Sequence, residues 1–202
     1  MDGDLEFGLY SFLLPEVLCE LPCDLSMCNK EIKVSALDCW VNPSVIGKFR
    51  MAVTEDKRDI FSILHDGGIS AWTGDKKLLT LTVECQYLAE RFDKSFDRFY
   101  VELTNVDELF LSIWPNPFDL PAQTLTEPSD IFKAELEILS ADIKDEKVVI
   151  ACNQHDRDFD YCGGNLTISC EKIKVFDQNK NELPIDQFDI ICKSYWNEWS
   201  KK

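Results

Sequence analysis

Lys77-Leu78-Leu79-Thr80-Leu81-Thr82-Val83-Glu84-Cys85-Gln86-Tyr87 decides the fold class, because in an extended chain Leu79, Leu81, Val83, Cys85 and Tyr87 share one side. Such strict alternation marks a strand with one buried and one wet face. Residues 96–103 repeat it with Phe99, Val101 and Leu103. Upstream, 31–41 and 48–54 carry β-branched and aromatic residues in short runs parted by Asn42-Pro43, which predicts two strands and a turn. Residues 60–64 and 69–72 flank His65-Asp66-Gly67-Gly68, a tight turn of the hairpin kind. Residues 5–21 are apolar-rich and broken at Pro15, so a short helix or a packed loop is expected there.

Downstream of a proline-rich joint the alternation resumes. Pro117, Pro121 and Pro128 fall within 117–130, just after Pro115, and exclude a continuous helix or central strand there. Residues 132–143, 147–152 and 166–176 then read as an antiparallel meander with a polar excursion at 153–165. After a hairpin turn at Asp177-x-Asn179-x-Asn181, the period changes. Ile185, Phe188, Ile191 or Cys192, Tyr195 and Trp199 recur at three- and four-residue steps behind Pro184, predicting an amphipathic helix of about four turns. Trp196, one position off that stripe, is expected to be partly exposed. The expected class is α+β, predominantly antiparallel, with this helix on the second-half sheet. Its parts are a β-rich half (1–116), the joint (117–130), and a meander plus helix (131–202), with one continuous domain left open.

Charge narrows the function. The 202 residues hold 37 acidic and 21 basic side chains, a formal net charge of −16. Residues 1–116 carry −9 and residues 117–202 carry −7, so the charge belongs to the whole body rather than to a tail. Such a surface repels nucleic acid and anionic lipid and attracts basic proteins. Lys76-Lys77 and Lys201-Lys202 are the adjacent basic pairs, far short of the stripe a duplex binder needs. The acidic start and the lack of a long apolar run predict neither a signal peptide nor a membrane span. Nine cysteines, an odd number, several of them inside strand-like runs, are expected to be reduced, buried thiols in a cytoplasmic protein.

The chemical motifs fall short one by one. Cys19, Cys23 and Cys28, even with Cys39, lack the second matched pair of a structural zinc site. Asp156, Asp158 and Asp160 mimic the start of a calcium loop, but Tyr161 stands where its glycine is needed and Thr167 where its bidentate glutamate belongs. Only His65 and His155 could titrate near neutrality, and no phosphate-cradling or nucleophile motif accompanies them. No catalytic residue, metal or cofactor is therefore assigned. The alternative kept is a small cytosolic enzyme or metal protein using His155 with Cys152, Cys162 and the neighbouring aspartates.

What remains is an acidic interaction module, in which carboxylates stand where phosphates would and rings supply rigid contact area. By that logic the partner-binding candidates are Asp156, Asp158, Phe159, Asp160 and Tyr161 in the excursion, with Asp107, Glu108 and Trp114 as a second group. A small acidic β-rich chain ending in Ser194-Tyr195-Trp196-Asn197-Glu198-Trp199 resembles, over 163–199 and in general character, the immunity proteins of bacterial toxin–immunity systems. That resemblance implies a stoichiometric inhibitor of a basic toxin, often a nuclease, and transfers no functional residue.

Overall fold

The computed structural model describes Thr54 and residues 56–201. The elements expected at 5–21 and 31–41, and Cys19, Cys23, Cys28 and Cys39, lie outside the described residues. So does the strand expected at 48–54, apart from Thr54, which is helical. Helix α1 (56–63) buries Ile60, Phe61 and Ile63, with Leu64 just beyond it. The apolar run at 60–64 is thus helical, since positions i, i+1, i+3 and i+4 fill one helix face and a short run cannot report its own period.

Strands β1 (Gly68–Gly74) and β2 (Leu78–Glu84) form an antiparallel hairpin, followed by the short α2 (Gln86–Ala89) and the long β3 (Arg98–Pro115). Leu79, Leu81 and Val83 are fully buried, as the alternation predicts. Tyr87 leaves that pattern, because the chain turns into α2 at Cys85 and the Tyr87 hydroxyl donates to the His65 carbonyl at 2.8 Å. Then come β4 (Thr124–Leu125), α3 (Pro128–Ile131), β5 (Leu136–Lys144), β6 (Lys147–Asn153), β7 (Tyr161–Phe176), β8 (Glu182–Leu183) and α4 (Ile185–Trp199). The strand expected from 132 begins only at Leu136, because α3 and its exit turn occupy the preceding residues. β7 begins at Tyr161, so the polar excursion is shorter than expected. Gly163 explains the early start. Its φ of 147°, and the collision that any Cβ there would make with the Cys152 carbonyl oxygen, require a residue without a side chain.

The strands pair in the cyclic order β1-β2-β3-β7-β6-β5 and back to β1, every pair antiparallel. A ring leaves few open edges, and β4 and β8 are two-residue additions to it. β3 would span roughly 60 Å if straight, too long for one small sheet. A bulge at Val106/Glu108 bends it, so its first part pairs with β2 and its last with β4, while β7 follows it throughout. Leu81 and Val101 from before the joint share one buried cluster with Ile138, Ile150 and Leu166 from after it.

The protein is accordingly α+β and mostly antiparallel, with a C-terminal helix next to the later strands. Phe188 of α4 is fully buried, 5.1 Å from the Phe99 ring and 6.4 Å from Phe92. Farther along, Trp196 stacks on His65 at 5.0 Å, Tyr195 meets Tyr87 at 4.7 Å, and Arg91 pairs with Glu198 at 2.6 Å. Trp196 is partly exposed, as expected, whereas Trp199, expected on the apolar stripe, turns outward. The inward line is the slanting i, i+4 row Phe188–Cys192–Trp196, and Trp199 is left 60% exposed. Truncating Phe188 to alanine should therefore cost about 3–5 kcal/mol in urea unfolding, and Trp199→Ala less than about 1 kcal/mol. Equal losses would contradict this packing.

Candidate functional site: an acidic groove at the ring seam

The ring closes through a short seam. β1 and β5 share the register pairs Gly68↔Glu137 and Ile69↔Leu136. Two further bonds extend it, Asp66 N–H to the Ile138 carbonyl and Ile138 N–H to the Gly67 carbonyl, both 2.8 Å. Around this seam lies a groove of about 390 Å³ lined by Asp66, Gly68, Glu84, Gln86, Asp97, Glu135, Glu137 and His155. Five of those eight residues are carboxylates, drawn from the α1–β1 turn, the end of β2, the residue before β3, and β5 with the residues before it. Gly68 makes room for them. A Cβ there would collide with Glu135 Oε1, so that carboxylate rests over the bare backbone of β1.

Some of this charge is answered locally. Arg98 donates to Asp97 through Nε at 2.6 Å and through its terminal nitrogen at 3.0 Å, and lies 3.9 Å from Glu84. Its guanidinium holds the Asp97 carboxyl below the usual carboxylate range. His155, 75% exposed, places Nε2 at 2.9 Å from Glu137 Oε2, and His65 Nε2 lies 3.8 Å from Asp66. Among the described residues no group of three or more histidine, cysteine, aspartate and glutamate side chains is arranged to hold a metal ion.

His155 joins the groove to the acidic loop that the aspartate run marks in the sequence. Asp156, Asp158 and Asp160 are exposed on this turn. Side chains organise the turn: Asp156 N–H donates to Gln154 Oε1 at 2.7 Å and Asp158 N–H to Asp156 Oδ1 at 2.9 Å. Phe159 is half-buried, 5.4 Å from the Tyr161 ring, with Lys133 Nζ 5.9 Å from its centroid. Tyr161 is 5% exposed and opens β7, so its ring belongs to the core and offers no surface to a partner. Burial, then the charges of Asp160 and Asp156, push its hydroxyl pKa up. Trp114, half-buried near the end of β3, joins this loop because Pro115 pairs with Tyr161 and Asn116 N–H donates to the Asp160 carbonyl at 2.8 Å. Asp107 and Glu108 do not join it. They sit at the β3 bulge, roughly 20 Å along the strand, where Lys147 binds Glu108 at 2.8 Å.

The groove carboxylates were missed because they come from four stretches of chain that meet only at ring closure. One signal was present. Glu135 and Glu137 are the outward partners of the alternating Ala134, Leu136 and Ile138. Cys152 is fully buried with Sγ 3.7 Å from the Ile150 carbonyl, Cys162 Sγ lies 3.7 Å from the Trp114 carbonyl, and His155 faces the groove. No family model, curated protein or solved structure matches this chain. No helix among the described residues is long and apolar enough to cross a membrane.

The five described cysteines are free thiols, four of them buried. Burial pushes Cys85 up to about 11 and Cys152 up to about 12, and raises Cys170 and Cys192 as well. A raised pKa leaves less thiolate at neutral pH, and reactivity returns only as pH climbs toward these values. With iodoacetamide at about pH 8, peptide mass spectrometry should find half-buried Cys162 alkylated before Cys85 and Cys152. Equal rates for Cys152 and Cys162 would contradict the burial.

Proposed function

We propose that this chain is an acidic binding module acting in the bacterial cytoplasm as a stoichiometric, immunity-type inhibitor of a basic protein such as a toxin nuclease. The observation that carries this reading is the continuous acidic band. It runs from the seam groove of Asp66, Glu84, Asp97, Glu135 and Glu137 through His155 to Asp156, Asp158 and Asp160. Glu84 and Glu137 stand on hydrogen-bonded strands and the other carboxylates on the turns these strands anchor, which lowers the ordering cost of binding. A nuclease concentrates Lys and Arg where phosphates bind, and carboxylates at similar spacing compete for the same cations. Close charge pairs across such an interface couple by about 1.5–7 kcal/mol. The net charge of −16 adds long-range steering toward a cationic target.

The direct test is capture of a basic partner from the native host, joined with inspection of the gene beside this one for a basic toxin. With that partner in hand, reversing Asp156, Asp158 and Asp160 to lysine should slow association about tenfold or more and flatten its dependence on salt. An association rate indifferent both to salt and to these reversals would overturn the proposal.

A further inference from the structure

Phe118 is the most exposed large apolar side chain among the described residues, at 83%, against 65% for Ile190 and 60% for Trp199. Scattered surface apolar residues are ordinary. This one differs in how it is held and in what surrounds it. Leu120 N–H donates to the Pro117 carbonyl at 3.2 Å, which sets Phe118 at the corner of a tight turn. The base of that excursion is clamped by the β3–β4 pairs Leu111↔Leu125 and Ser112↔Thr124 and by Ile113 N–H on the Gln123 carbonyl at 3.1 Å. Its side is braced on the acidic loop through Asn116 N–H and the Asp160 carbonyl. Pro115, Pro117 and Pro121 restrict the backbone further. A ring displayed this way loses little conformational entropy when it is covered.

Its neighbourhood is acidic. Asp119 shares the turn, and Asp156, Asp158 and Asp160 stand on the loop that braces it. Arg157 and Lys133 are the cations of that loop region, with Lys133 engaged over Phe159. An aromatic anchor within a charged rim is the usual anatomy of an energetic centre in an interface.

We propose that Phe118 is the apolar anchor of this face. Its ring enters an apolar pocket of a basic protein partner, and the carboxylates of Asp119, Asp156, Asp158 and Asp160 meet lysine and arginine side chains on the rim of that pocket. The proposal rests on the acidic-module reading and adds to it the point of insertion.

A cyclodextrin reproduces that partner chemistry in miniature. β-Cyclodextrin has a cavity that accepts a phenyl ring, and its per-6-amino derivative rims the cavity with cations. Both are titrated into the full chain at low salt, reading the NMR signals of the Phe118 ring and the amides of Asp119 and Leu120. The aminated probe should bind at Phe118 at least about tenfold more tightly than the neutral one. Phe118→Ala should abolish these shifts, and Asp119→Asn with Asp160→Asn should remove most of the gain from amination. Trp199→Ala should leave them unchanged. Aminated probe bound equally well by Phe118→Ala would leave the acidic surface standing and overturn the anchor. Equal affinity for both probes would overturn the charged rim. Absence of shifts at Phe118 with either probe would overturn the insertion itself.

Discussion

The β3–β7 ladder is the interaction on which the rest of this architecture depends. It runs from Tyr100↔Phe176 to Pro115↔Tyr161 and binds strands that lie on opposite sides of the proline-rich joint. Because the ladder is continuous, the hairpin of β1 and β2 and the meander of β5 and β6 are carried on its two flanks. They meet again only at the short β1–β5 seam. The ladder's far end fixes the acidic loop beside Trp114. The seam gathers the groove. One set of backbone hydrogen bonds therefore positions both parts of the acidic band, although no two of its contributing segments are adjacent in the chain.

Displaying this much negative charge works against the compact state, since like charges repel. The protein answers with a few well-placed cations rather than with neutralisation. Arg98 bridges toward Asp97 and Glu84, and Lys147 meets Glu108. Asp97, whose carboxyl is held low by Arg98, favours the folded state above the ordinary carboxylate range, and that contribution fades as pH falls through its lowered value. The groove keeps an excess of acid after these pairs. Among the described residues Glu135 has neither a hydrogen bond nor an ion-pair partner. That residual charge is what a cationic side chain would meet.

How far the sequence carried the fold can be judged residue by residue. Leu79, Leu81 and Val83 were legible because a half-buried strand imposes a period of two, and the beginning and amphipathic character of α4 were legible from Pro184 and its periodicity. The run at 60–64 was not, since five apolar residues fit a helix face or a buried strand equally well. The register of the last turn was not legible either. Whether Trp196 or Trp199 turns inward depends on His65 and Tyr87, which reach that face only after folding. The acidic loop was visible as an aspartate run, but the core role of Tyr161 was hidden by its place among those aspartates. The groove was the least legible of all, being built by ring closure from residues far apart in sequence.

On the proposed reading, the position of the carboxylates, and not net charge alone, lets this surface hold a cationic partner. The quadruple variant Glu135→Gln, Glu137→Gln, Lys76→Gln and Lys144→Gln tests it most directly. It empties part of the groove while removing two exposed lysines, Lys76 from the β1–β2 turn and Lys144 from the end of β5 at the β5–β6 turn, so the formal charge stays at −16. Association with nona-arginine, followed at low salt for the variant and the parent chain, should be several-fold weaker for the variant. Equal affinity would show that the overall charge acts without the array, and would contradict the account.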